Sequence, residues 1–176
     1  MIVIEGMDNT GKTTLALWLQ GKIRNCQLVH GGGPVRAGTQ AERLIALQMA
    51  SSYPRPLILD RVCLISEAVY GPLLRNVDSF SGFNQELLWS WFLEMKPLII
   101  YCRPSLLTIK SNMDERPQME GVSVNSDVLL NAYDQVMANI SHRGFAIAYY
   151  DYKAADITQL WDSVRDYLNG RGISWK

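Results

Sequence analysis

The sequence has little that could brace a chain from outside its own core. It contains three cysteines, Cys26, Cys63 and Cys102, an odd number lying in or beside apolar runs. That pattern excludes a disulfide framework and reads as reduced core thiols, and no spacing among them suits a metal. Neither sign of charge is in excess: 17 Lys and Arg stand against 17 Asp and Glu, a formal net charge of zero. A global basic field for nucleic acid or an acidic membrane is therefore absent, although a local basic patch is not excluded. No apolar stretch is long enough to span a bilayer, and no leader pattern precedes the first apolar run, so no membrane partner and a cytoplasmic location are expected. Repeats and low-complexity linkers are also missing. A length of 176 residues fits a single α/β domain, 1–176, with a real core.

What is present is concentrated at the start. Ile2-Val3-Ile4 reads as a buried parallel strand, and Leu15 to Ile23 as a helix. Between them, Gly6 to Thr13 fits G-x-x-x-x-G-K-[ST]. Strand, glycine-bounded loop and helix follow in the order a phosphate-binding P-loop requires. Such a loop points successive backbone N–H groups inward, and the helix adds its free N–H groups and the positive end of its dipole. Asp8, Asn9, Thr10, Gly11, Lys12, Thr13 and Thr14 are the candidate nucleotide-binding residues. Lys12 would meet the β- and γ-phosphates of ATP, and Thr13 would offer its hydroxyl to Mg²⁺.

Cys26 to His30 reads as a second strand running into Gly31-Gly32-Gly33-Pro34, with Arg36 beyond it as either an acceptor contact or a solvated charge. His30 fits a structural role better than that of a base. Ala41 to Ser51 reads as a helix with Leu44, Ile45, Leu47 and Met49 on its apolar side, stopped by Tyr53-Pro54-Arg55-Pro56. Leu57-Ile58-Leu59-Asp60 is a strand ending on a carboxylate, the Walker B arrangement, which places Asp60 beside Mg²⁺ as metal partner or as base. In the helix that follows, Arg61, Glu67 and Tyr70 are the polar candidates, at the strand edge where ligands gather. Asn84 to Met95 carries Leu87, Leu88, Trp89, Trp91 and Phe92, a stripe that suits core or a subunit interface and so allows a homodimer. Leu98 to Cys102 is the next strand, with Arg103 at its end and Pro104 suited to the first turn of a helix. Residues 113–124 lack apolar periodicity and hold Arg116, with Lys110 just before, a polar segment that could close as a lid. Ser126 to Ile140 reads as a helix and Phe145 to Tyr150 as the fifth strand. Asp156 to Leu168 is a final helix capped by Asp156, with Gln159 at the capping-box position. This alternation predicts α/β architecture with a parallel sheet covered on both faces.

Ile4 to Thr14 resembles the start of the thymidylate kinases, which also carry an acid at the position of Asp8, and Asp60-Arg61, with Ser66 and Tyr70 after it, resembles their Asp-Arg-aromatic segment. The chain is also similar to the compact kinases of this group found in phage genomes, which would place it in the host cytoplasm. The resemblance implies a P-loop NTPase fold, specifically a nucleoside monophosphate kinase with a five-stranded parallel sheet, ATP and Mg²⁺ on the P-loop, and a small-molecule nucleotide as acceptor. It implies that Asp8 approaches the acceptor 3′-hydroxyl, Arg61 holds the acceptor phosphate, Tyr70 packs near the sugar, and Arg103 lies in the expected order at the site. Positions 7 to 10 contain no arginine, so the resemblance puts the transition-state cation in the lid, with Arg116 first. Two segments depart from the family. His30 to Pro34 replaces an Arg-Glu-Pro-Gly-Gly type segment, and Leu47 to Tyr53 lacks the thymine-reading aromatic and arginine. Kinase chemistry is therefore expected and thymine is not singled out. The leading expectation is phosphorylation of a deoxynucleoside monophosphate. The alternatives are a kinase acting on a hydroxymethylated pyrimidine within DNA, and a nucleotide-operated ATPase or switch; a guanine-specific Asn-Lys-x-Asp motif is absent.

Overall fold

The structure is a computed structural model, and it describes residues 1–31, 40–52, 55–114 and 121–176, with only the backbone at 40, 41, 50, 51 and 114. Five strands form one sheet: β1 (Ile2–Glu5), β2 (Gln27–His30), β3 (Leu57–Asp60), β4 (Leu98–Cys102) and β5 (Ala146–Tyr150). All neighbouring pairs are parallel, in the order β2-β3-β1-β4-β5. The helices are α1 (Lys12–Lys22), α2 (Gln40–Ser51), α3 (Cys63–Arg75), α4 (Gln85–Glu94), α5 (Leu106–Asp114), α6 (Ser126–His142) and α7 (Ile157–Asn169).

Strand side chains alternate between two apolar layers, as the pleat dictates. Ile2, Ile4, Ile58, Leu98, Ile100 and Cys102 pack under α1 and α7, with Leu15, Leu19, Leu160 and Val164. Val3, Leu57, Leu59, Ile99 and Tyr101 face the other way, against Leu44, Ile65, Phe92, Ile109 and Leu129 of α2 to α6. Both faces being covered, the central strands can be apolar throughout, and β1, β3 and β4 are buried along their whole length.

This order also positions the site. From β1 the chain crosses past β3 to β2 and returns, then from β3 it jumps over β1 to β4. The carboxyl ends of β1 and β3 therefore border a crevice where connections leave in opposite directions, the usual ligand position in an open parallel sheet. The parallel register sets Asp60 opposite Ile4 on one side and His30 on the other.

Several local expectations are corrected. The first helix begins at Lys12, not Leu15, so the end of the P-loop is its first turn. Among the described side chains of α2, Leu44 and Leu47 are buried while Ile45 is 60 % and Met49 68 % exposed, a pair three residues apart docking the helix. Of the aromatic stripe on α4 only Phe92 is buried, while Leu87 faces solvent and Trp89 lies edge-on to Phe145. Pro104 precedes α5 rather than opening it; the Ser105 Oγ caps the helix by accepting from the Thr108 amide at 3.2 Å. The expected cap of α7 is present: Asp156 accepts from Thr158 N–H at 2.8 Å. Tyr53 and Pro54 lie outside the described residues.

Candidate active site

The P-loop leaves β1 at Gly6, whose backbone passes so near the end of β4 that a Cβ would run into the Cys102 carbonyl oxygen. Within the loop, Thr10 Oγ1 donates to the Met7 carbonyl at 2.9 Å, and Lys12 Nζ donates to the same carbonyl. The Lys12 ammonium is buried, and that burial pushes it down to about 8, with repulsion from the Arg61 guanidinium second. A buried cation so placed is matched to an anionic ligand. From outside, Asn112 of α5 donates to the Asn9 carbonyl at 2.8 Å and to the Tyr152 hydroxyl at 2.7 Å.

Beside the loop, Thr13 Oγ1 donates to Asp60 Oδ2 at 2.8 Å, and His30 Nδ1 lies 3.1 Å from the same oxygen. Thr13 and Asp60 thus form a pair of hard oxygen donors, which suits Mg²⁺, an ion commonly held by one or two protein oxygens together with substrate phosphates. Among the described residues no group of three or more His, Cys, Asp or Glu could hold a metal.

Arg61 follows Asp60 in the left-handed backbone region, φ 76°. Its amide donates to the Ile4 carbonyl at 2.9 Å, tying it to β1. Its Nη2 donates to Asp8 Oδ1 at 2.5 Å and to the Tyr70 hydroxyl at 3.4 Å, its Nη1 donates to the Tyr133 hydroxyl at 2.9 Å, and the group lies over the Tyr70 ring. Tyr70 in turn donates to Asp8 Oδ2 at 3.4 Å. The first glycine after β2 is forced by this turn: a Cβ on Gly31 would stand 2.5 Å from the Arg61 carbonyl oxygen.

Among the described residues, three cavities run in series along this edge. The middle one is lined by Asp8, Asn9, Gly11, Lys12, Thr13 and Thr14 of the P-loop with His30, Asp60 and Arg61. A second, under α2, is lined by Val29, Arg43, Leu47, Leu59 and Cys63, and shares His30 and Arg61 with the first. A third opens on the far side between Trp18, Asn112, Tyr150 and Tyr152, sharing Asn9, Gly11 and Thr14.

No protein-family model and no curated protein matches the sequence. Solved structures do match over nearly the whole chain. The YorR protein of Bacillus subtilis, solved with phosphorylated GDP, superposes with a TM-score of 0.72 at 18 % identity, covering 96 % of this chain and 95 % of that one. A deoxyadenosine kinase from M. mycoides gives 0.62 at 16 % identity over 96 % and 98 % of the two chains. Thymidylate kinase from Candida albicans gives 0.57 at 16 % identity over 99 % and 96 %. The chain has the fold of the P-loop nucleotide kinases.

Within that fold the expected site residues separate into two groups. Asp8, Asn9, Gly11, Lys12, Thr13, Thr14, Asp60 and Arg61 line one cavity, with Tyr70 bonded into it; Thr10 is buried behind it, holding the loop's own carbonyl. Glu67 and Arg103 are engaged elsewhere. The buried Glu67 carboxylate takes an ion pair from Arg75 and a hydrogen bond from Ser79 at 2.8 Å. Arg103 makes two bonds to Asp134, at 3.0 and 2.7 Å, and Tyr101 donates to the same carboxylate. Arg36 and Arg116 lie outside the described residues.

Sequence reasoning overlooked Glu5, Tyr133, Asn112 and Tyr152. Glu5 carried a signal, an acid ending an apolar strand just as Asp60 does. Tyr133 carried none, because at helical spacing with Leu129, Leu130 and Met137 it reads as core.

Proposed function

We propose that the protein transfers a phosphoryl group from ATP to the 5′-phosphate of a deoxynucleoside monophosphate. The observation that carries this reading is the shared wall between two cavities: Arg61 and His30 line both the P-loop cavity and the one under α2. A nucleotide hydrolase needs room for one nucleotide and a water. Two joined cavities with a cation at the junction suit two substrates held for in-line transfer.

ATP would lay its phosphates along the P-loop and direct its base to the cavity between Trp18 and Tyr152. Lys12 would neutralise charge on the β- and γ-phosphates. Thr13 and Asp60 would hold Mg²⁺, which when bound screens the phosphate charge. The acceptor would enter under α2, its phosphate meeting the Arg61 guanidinium, its 3′-hydroxyl donating to Asp8 and its sugar packing on Tyr70. An acceptor phosphate oxygen would then form a bond to the γ-phosphorus as the bond to the β,γ-bridging oxygen breaks. Arg116 would supply the further cation from the lid, and Arg36 an acceptor contact. The M. mycoides enzyme structures hold dCMP, dATP and dCTP, which supports a deoxynucleotide ligand for this fold.

The test offers labelled ATP with each free deoxynucleoside monophosphate and, separately, with DNA carrying ordinary or hydroxymethylated pyrimidines. Transfer to at least one free monophosphate is expected. Label in DNA alone would replace this reading with a DNA-base kinase, and ATP hydrolysis without any acceptor would replace it with an ATPase.

A further inference from the structure

Glu5 is the last residue of β1 and is fully buried. Three donors converge on its carboxylate. The Val62 amide donates at 2.6 Å, Ser66 Oγ at 3.2 Å, and the Tyr133 hydroxyl at 3.5 Å. Burial pushes the Glu5 carboxyl above the usual carboxylate range, and the nearby Arg61 guanidinium opposes that most strongly. A carboxylate in a core is costly unless it is fully partnered. Nothing in the phosphate chemistry above uses it.

Its partners all lead to one residue. Val62 is the residue after Arg61 and the N-cap of α3, a cap with no side-chain hydrogen bond of its own. By taking the Val62 amide, Glu5 holds the chain where Arg61 adopts its left-handed backbone. Tyr133 passes the restraint to the side chain, because its hydroxyl donates toward Glu5 while accepting from Arg61 Nη1 at 2.9 Å. Nη2 meanwhile donates to Asp8.

We infer that Glu5 is a positioning residue that acts through Val62 and Tyr133 to fix the Arg61 guanidinium at the junction of the two cavities. The inference rests on the kinase reading for its catalytic consequence but not for its geometry. Glu5→Gln keeps the shape and still accepts from Val62, yet it presents an amide N–H₂ to Tyr133 and reverses that hydrogen bond. Tyr133→Phe removes the relay and leaves the other Glu5 bonds in place.

Two readouts on the full chain separate this inference from the functional reading. The first needs no acceptor: nitrogen NMR of the Arg61 guanidinium, assigned by loss of the signal in Arg61→Lys. Hindered rotation should give two distinct Nη resonances in the parent protein, merging in both Tyr133→Phe and Glu5→Gln. Unmerged resonances in both folded variants would overturn the inference whatever the protein phosphorylates. The second uses whichever free monophosphate the panel identifies. Both variants should lose on the order of tenfold in kcat/KM for the acceptor, with the KM for ATP within about twofold of the parent. The double variant should be no worse than the worse single one, since both act on one unit. Equal losses toward both substrates, or losses that multiply in the double variant, would make Glu5 a general structural residue. If the parent phosphorylates no monophosphate, the kinase reading fails while the resonances still decide the role of Glu5.

Discussion

The carboxyl ends of β3 and β4 look alike in sequence and differ in what they build. Each apolar strand ends beside an arginine, Arg61 after β3 and Arg103 after β4, and both were candidates for the acceptor. Arg61 has a side chain only 11 % exposed, is held by three oxygen groups, and faces the P-loop cavity. Arg103 is 35 % exposed and closes onto Asp134 of α6. The difference comes from the neighbours. Both strands flank β1, but the Arg61 amide donates to the Ile4 carbonyl of β1, on the P-loop side, whereas the Arg103 amide donates to the Tyr150 carbonyl of β5, on the side away from β1. A charge at the end of a strand joins a cavity only when its backbone is turned toward that cavity, and the two arginines are turned to opposite neighbours.

The largest effect expected on the β3 side comes from its P-loop neighbour. Lys12→Ala should lower turnover by about 10²–10³ with the fold intact, as for loss of one preorganised group facing developing charge. Near-normal steady-state turnover by the folded variant would remove the middle cavity from the mechanism.

Arg61→Lys sharpens the contrast further. It keeps the charge and loses the planar fork, so it cannot hold Asp8, Tyr133 and an acceptor phosphate together. The kcat/KM for the acceptor should fall about 10- to 100-fold, with ATP binding, followed by titration calorimetry, little changed. If ATP affinity falls equally, Arg61 belongs to the donor phosphates instead.

Arg103→Ala should do least. The ion pair with Asp134 is about one-third exposed at each end, so its loss should cost no more than about 1 kcal/mol in denaturant melts. Turnover should stay within about threefold. A tenfold loss of turnover with unchanged stability would break the comparison and give Arg103 a place at the acceptor.

Much of the architecture was legible before folding was considered. The five apolar-rich runs became the five strands, with ends within one residue of expectation, and the three central ones are apolar throughout because both their faces are covered. The α2 stripe misled because two of its four apolar residues face outward, and nothing local distinguishes Leu47 from Met49. Glu67 was read as a polar handle for substrate from its place near the strand end. Its ties to Arg75 and Ser79 depend on how the chain turns back after α3, which the residues near Glu67 do not reveal.

By itself, the sequence determined the glycine-bounded loop after β1, the acid that ends β3 and the alternation of strands and helices. These are local matters, a backbone path and a period, set by residues within a few positions of each other. The tertiary structure alone decided which charges share a cavity. The bond from Arg61 to Tyr133 spans 72 positions, that from Tyr133 to Glu5 spans 128, and that from Asn112 to Asn9 spans 103. Such partners are chosen by strand order and by the helix face that packs against the sheet. A single side chain in the sequence carries no record of either.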